Sequence, residues 1–255
     1  MNSSSTDQTQ DVLANLKARF PLRSITIPNQ GKAAARNQGV EEAISDIILI
    51  TDADMLPDSG LIAAHVEAHE ATNHGPVCYE GLTYNLESLD KPLSEQKLSP
   101  IITRPYPAGK KLGWYYFLTG NISFPKSLFI AAKGFSTDFT GYGWEDLELG
   151  YRLKQNKIPL IYLKSAMNYH LHIVPKDNEL IRSVDKGRSA KVMIAKHPEL
   201  RMFMGLNPLS TLVFRLTSPT SILYRFFQNR YQKGPGKALG YWFLKEYHYV
   251  EGLLS

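Results

Sequence analysis

Four apolar residues, Ile47-Ile48-Leu49-Ile50, run through Thr51 into two carboxylates one residue apart, Asp52 and Asp54. A short apolar run of this kind predicts a buried strand, of the type that fills parallel sheets. Ligands of open α/β sheets sit beyond the carboxyl ends of the strands. Asp52 and Asp54 therefore fall where a charged ligand would bind. Carboxylate oxygens suit Mg²⁺ or Mn²⁺, and either ion can hold a diphosphate. Taken alone, the same pattern also fits a solvated loop after a strand.

The surrounding pattern extends the prediction. Val12, Leu13, Leu16 and Phe20 share one face of a helix over 7–20, with Asp7 and Gln10 as a capping box. A strand over 24–28, a turn at Asn29-Gln30-Gly31 and a helix over 32–43 precede the apolar run. A helix over 59–71 and a strand over 77–86 follow it. Residues 87–111 read as a long loop that, with Trp114, would shape a pocket. Then come a strand over 119–124, helices over 126–132 and 145–155 around a glycine- and aromatic-rich loop, and a strand over 160–163. Alternation of this kind predicts an α/β fold with a mostly parallel sheet flanked by helices.

The formal charge of +5 is unevenly placed. Arg182 to Lys245 carries twelve Lys/Arg against Asp185 and Glu199, so that stretch is +10 and the rest of the chain is −5. Two parts are expected: a body over 1–175 and a basic helical extension over 176–255. Within the extension Leu223, Tyr224, Phe226 and Phe227 lie beside Arg225 and Arg230, and Trp242, Phe243 and Tyr247 beside Lys245. Aromatics interleaved with cations suit an anionic membrane surface, and equally a helical subdomain packed on the body. No apolar run reaches the ~18 residues that span a bilayer, and the first residues have no signal-peptide pattern. The single cysteine, Cys78, fits a reducing compartment. A cytoplasmic location follows, with peripheral attachment to the inner face of the membrane as an extension of it.

Three further groups bear chemistry. In Gly141-Tyr142-Gly143-Trp144-Glu145-Asp146 two acids open a helix, where the helix dipole favours them. The same pair could act as a general base and its helper, with Trp144 as a platform for a sugar ring. His170 and His172 alternate on one strand face and could complete a metal site with the carboxylates. Gly31 before a helix offers free N–H groups to phosphate, and Lys32 and Arg36 add charge one turn apart. This is not a P-loop, because Lys32 is followed by Ala33. His65 and His69 have the spacing of a zinc pair, but Val66 stands where the motif needs glutamate.

In order, the segments NQGKAAARNQG (29–39), TDADMLPD, Thr119-Gly120-Asn121, Lys133-Gly134-Phe135, GYGWEDLELGYRL and NYHLH resemble family 2 glycosyltransferases of the GT-A fold. The likeness covers roughly residues 5–175. It is closest to the branch that shares a W-E-D motif with chondroitin polymerases and β-1,4-galactosyltransferases. The resemblance implies an inverting, metal-dependent hexosyltransferase. Asp146 would be the base and Glu145 would hold the acceptor. Lys32, Arg36, Asp52, Asn121 and Trp144 would bind the nucleotide sugar. Asp52, Asp54 and His170 would hold Mn²⁺ or Mg²⁺, with His172 as the substitute for His170. The implied partners are a UDP-sugar donor and a glycan or lipid-linked acceptor, with no nucleic acid. The family opens with a strand and then a D-D-G-S-T-D motif; here the chain starts at that motif as Asn2-Ser3-Ser4-Ser5-Thr6-Asp7. The first strand and first helix are thus expected to be absent, with Asn2 and Ser3 in place of the base-reading aspartates; either the true start lies upstream, or the chain is a non-catalytic remnant or partner subunit.

Overall fold

The computed structural model describes residues 1–171, 176–233 and 237–255. They fall into two units, Met1–Thr137 with Glu145–Ile173, and Asp138–Trp144 with Val174–Ser255.

The first unit runs α1 (Thr9–Asn15), α2 (Lys32–Glu42), β1 (Ile47–Ile50), β2 (Met55–Pro57), α3 (Leu61–Ala71), β3 (Cys78–Leu86), β4 (Ser99–Pro100), β5 (Ile122–Pro125), α4 (Lys126–Ala131), α5 (Glu145–Gln155) and β6 (Leu160–Leu171). The sheet order is β1-β5-β3-β6-β2, with β4 paired to β3. Ile48, Cys78, Leu82, Ile122, Phe124 and Leu160 bury one core from four strands. Phe124 stacks on Phe129 of α4 at 5.5 Å, and Phe129 meets Phe135 edge-on at 5.3 Å. Emptying a site like that of Phe124 costs about 3–5 kcal/mol.

The expectation of a mostly parallel sheet needs correcting. Among the named strand pairs only β3 with β6 is parallel; the others are antiparallel. The cause is insertion. β1 and β3 both run against β5, so they point the same way, as a helix crossover through α3 requires. β5 slots between them in the reverse sense, and β2 runs back along β6. The ends of β1, β3 and β6 still share one direction.

Two further boundaries differ. α1 stops at Asn15 and buries none of its residues, so Val12, Leu16 and Phe20 stay exposed. Asp7 accepts from the Thr9 N–H at 3.0 Å, but Gln10 turns away to accept from the side chains of Asn2 and Thr26. No capping box forms. Asn2 itself is buried and bridges in parallel to Thr26, where a strand over 24–28 was expected.

β6 extends eight residues past its predicted end and carries the irregularity that sets its register. Gly81 pairs with Leu163 while Leu82 pairs with Met167, so Lys164, Ser165 and Ala166 loop out. Pairing then resumes to Leu171.

The second unit holds α6 (Lys176–Lys196), α7 (Pro208–Leu216), α8 (Ile222–Lys233) and α9 (Lys237–Leu254). α6 and α9 cross at Gly187 and Gly252; a Cβ on either would overlap the other helix's backbone. Tyr224, Leu244 and Tyr247 form a buried cluster with Leu180, Phe214, Tyr231 and Phe243 around them.

Candidate active site

The segment 29–39 places two side chains at a junction. Ala33, Ala34 and Ala35 favour a helix, and α2 begins just after Gly31, whose φ of 90° suits only glycine. One turn later Arg36 and Asn37 leave the helix on the side of α5. Asn37 clamps the Gly134-Phe135 turn both ways: its amide donates to Phe135 O at 2.9 Å and accepts from Phe135 N–H at 2.8 Å. Arg36 lies over the Phe135 ring, 5.8 Å from its centroid. Its guanidinium donates to Asp52 Oδ1 at 3.0 Å and to Glu145 Oε1 at 2.8 Å. One arginine thus ties the end of β1 to the start of α5.

The pair with Glu145 is buried, with side-chain exposures of 12% for Arg36 and 6% for Glu145. Burial works against the Arg36 charge, yet Asp52 and Glu145 hold its pKa above the ordinary value. Glu145 Oε2 is buried and has no hydrogen-bond partner among the described residues. Next to it, burial and then the Glu145 charge push the Asp146 carboxyl up to about 7, against the pull of Arg36 and the Leu147 N–H. Two adjacent carboxyls with separated environments suit distinct roles. The rest of α5 is braced by Glu148, buried and bonded to Arg152, which in turn donates to Ala132 O and Gly134 O.

Beyond β1, the chain turns through Asp52-Ala53-Asp54 into β2, which the sequence pattern did not separate from the loop. β2 pairs with the end of β6 and sets Met55 opposite His170. His170 Nε2 then lies 3.3 Å from Asp54 Oδ2.

What fixes β6 there is a buried polar network. Asn121 Nδ2 donates to Ala166 O, the last residue of the loop-out, at 3.0 Å. Its Oδ1 lies 2.9 Å from His65 Nε2. An amide oxygen can only accept, so His65 carries its proton on Nε2. His65 Nδ1 then accepts from Ser123 Oγ at 2.7 Å, and Ser123 accepts from His69 Nε2 at 2.9 Å. This leaves His69 Nδ1 as a bare, buried acceptor. Burial first, then His65, drives the His69 pKa down to about 4, so both rings stay neutral. The zinc-like spacing of His65 and His69 serves hydrogen bonds to β5.

Three expected site residues have protein partners in the structure. Asn121 is fully buried and both its amide atoms are engaged. Asp52 and Glu145 both pair with the Arg36 guanidinium. Trp144 belongs to the second unit, where its indole donates to Lys186 O at 2.9 Å. Lys32 is exposed on the first turn of α2. His172 lies outside the described residues. Asp52, Asp54 and His170 do not gather as a set, and no group of three His, Cys, Asp or Glu that could hold a metal occurs among the described residues. Asp54 and His170 do meet, and one carboxylate with one imidazole, completed by phosphate oxygens and water, is a fitting seat for Mg²⁺ or Mn²⁺.

Residues the motifs did not single out also matter. Asn37 stood inside the 29–39 segment without an assigned task. Glu80 on β3 is buried and accepts from the Leu118 N–H at 3.0 Å; burial pushes its carboxyl well above the ordinary range. A cavity of about 360 Å³ beneath Trp114 is lined by Lys111, Lys154 and Lys157, and by none of the site carboxylates.

Comparison with known proteins gives a family and a fold. Residues 1–136 match the model of glycosyl transferase family 2, and residues 103–176 that of the N-terminal domain of galactosyltransferase. The chain is 29% identical over 182 residues to a validoxylamine A glucosyltransferase of Streptomyces hygroscopicus subsp. jinggangensis (61% of this chain, 43% of that protein). It is 26% identical over 194 residues to a chondroitin synthase of Escherichia coli (65% and 28%). It thus spans less than half the length of these relatives. Among solved structures, the mannosyltransferase PcManGT of Pyrobaculum calidifontis, determined with GDP-Man and Mn²⁺, superposes with a TM-score of 0.57 at 16% identity, covering 99% of this chain and 76% of that one. The fold is thus GT-A-like.

Proposed function

The chain belongs to glycosyl transferase family 2, and from that premise we propose that it is an inverting, metal-dependent glycosyltransferase. It would move a sugar from a nucleotide-diphosphate donor to a hydroxyl of a glycan or lipid-linked acceptor. UDP-sugars are the first donors to test, with GDP-Man second because a fold neighbour was solved with it. Residues 1–175 would be the catalytic body, and 176–255 its helical extension.

The single observation that carries the reading is the Arg36 bridge from Asp52 to Glu145, beside a carboxyl of raised pKa. It sets the two carboxylate segments on one frame. Asp146 is the base, since a carboxyl that titrates near neutrality is suited to take a proton and give it up again. Glu145 Oε2 accepts from a neighbouring hydroxyl of the acceptor, and the attacking hydroxyl donates to Asp146, which orients its oxygen. That oxygen forms a bond to the anomeric carbon as the bond to the donor's diphosphate oxygen breaks. The electron pair leaves with the diphosphate, and the hydroxyl proton passes to Asp146. Attack from the face opposite the leaving group inverts the anomeric configuration. A divalent ion held by Asp54 and His170 would neutralise charge building on the departing diphosphate.

The test is Asp146→Asn. Transfer from a UDP-sugar should be lost while the nucleotide still binds. Among the described residues no helix is long and apolar enough to cross a membrane, and we place the activity in the cytoplasm.

A further inference from the structure

The outward faces of α7 and α8 are apolar where a solvated helix would be polar. On α7, Leu212, Val213 and Leu216 point outward while Phe214 packs on the cluster formed by Tyr224, Leu244 and Tyr247. On α8, Ile222, Leu223 and Phe226 point outward while Tyr224 is buried and Tyr231 packs inward. Leu216 is 70% exposed and Ile222 is 89% exposed. The cluster around Tyr224, Leu244 and Tyr247 is built from the inward faces, and none of these six side chains is among its members. Consecutive helices rarely leave so much apolar surface to water without an occupant.

Charge selects the occupant. From Leu200 to Lys245 the sequence has seven Lys/Arg and no Asp or Glu. Arg215, Arg225 and Arg230 are exposed on the same two helices, and the Arg230 guanidinium rests over the Phe226 ring at 4.7 Å. A second copy of this chain would bring like charge against like charge. A neutral partner would leave the cations unmatched. An anionic lipid surface matches both features: short apolar faces enter the boundary between headgroups and acyl chains, and cations at their margin meet phosphates. The helices are too short to span, which fits lying in that boundary.

We propose that α7 and α8 dock the protein on an anionic membrane surface. Leu212, Leu216, Ile222 and Phe226 enter the boundary, and Arg215, Arg225 and Arg230 contact lipid phosphates. The inference stands on the second unit alone and does not depend on the transferase reading.

The test is co-sedimentation of the full chain with vesicles of equal parts phosphatidylcholine and phosphatidylglycerol, and with pure phosphatidylcholine vesicles. Binding should need the anionic lipid and weaken as salt is raised. Arg225→Gln with Arg230→Gln should weaken it roughly thirtyfold. Leu216→Ser with Ile222→Ser, at exposed positions that leave the fold intact, should weaken it at least about tenfold. Free inorganic phosphate should weaken binding no more than sodium chloride at equal ionic strength, and specific competition by phosphate would overturn the proposal. Equal binding to both vesicle types, no binding to either, or binding untouched by both double variants would overturn the proposal. So would a concentration-dependent dimer that the Leu216 and Ile222 substitutions abolish, since the face would then belong to a second copy.

Discussion

The Arg36 guanidinium donates to the buried Glu145 carboxylate at 2.8 Å, across 109 positions of sequence. Its other arm holds Asp52. The segment that reads as a phosphate-facing motif also supplies a tie between both acidic segments.

Replacing Arg36 with Met strands the Glu145 charge in a buried setting. Removing one partner of such a pair costs about 3–5 kcal/mol. Urea unfolding of Arg36→Met should show that loss, and adding Glu145→Gln should restore most of the stability without restoring transfer. A loss below about 1 kcal/mol would mean the pair behaves as an exposed one.

The raised Asp146 pKa, about 7, fixes the direction of two pH effects. The base must be ionised to accept a proton, so kcat/KM should fall about tenfold per pH unit below 7 and level off above it. For stability the sign is opposite. Between the ordinary carboxyl value near 4 and about 7 the folded state binds more protons than the unfolded chain, so this group's contribution falls as pH rises through that window. Asp146→Asn should therefore unfold at a higher temperature than the parent above pH 7. A lower melting temperature there would show that the carboxylate is a stabilising group.

Asp54 and His170 meet at 3.3 Å, and Asp54 is 56% exposed. If they hold a divalent ion, either alanine substitution should raise the Mn²⁺ concentration needed for UDP binding by about tenfold or more. Titration calorimetry reads this directly. An unchanged Mn²⁺ requirement in both variants would place the ion elsewhere.

Asn121 should act on β6. A Cβ added at Gly81 would overlap the Asn121 amide. Gly81→Ala and Asn121→Ala should each lower stability by about 2–4 kcal/mol, because Ala166 O and the His65 ring lose their partners in a buried site. The network also predicts acid sensitivity. The His69 pKa is depressed to about 4, so its neutral form stabilises the fold above the ordinary value near 6.5, and that contribution is lost as pH falls from there toward 4. His69→Gln should flatten the melting temperature over that window.

Much of this arrangement was legible from order alone. The apolar run at 47–50, the acids opening α5 and the His170 strand each carry a local signal, and Asp54 does meet His170. The rest depends on pairing, which local pattern does not encode. β5 enters the sheet against its neighbours because of where 122–125 returns, and nothing in Ile122-Ser123-Phe124 specifies antiparallel. The polar run Lys164-Ser165-Ala166 ended the predicted strand early, since a loop-out and a strand end share the same composition. Asn121 has the chemistry of a ligand residue, and only the position of His65 and Ala166 shows that its amide is engaged. Trp144, at a φ of 75°, turns on a backbone conformation that sequence does not announce.

The central claim is that Asp146 performs the proton transfer on a frame that binds nucleotide independently of it. It is tested by measuring UDP binding with Mn²⁺ and sugar transfer side by side for the parent and Asp146→Asn. Binding within about twofold of the parent, with transfer reduced at least about a hundredfold, is the predicted result. Transfer at the parent rate in Asp146→Asn would contradict it.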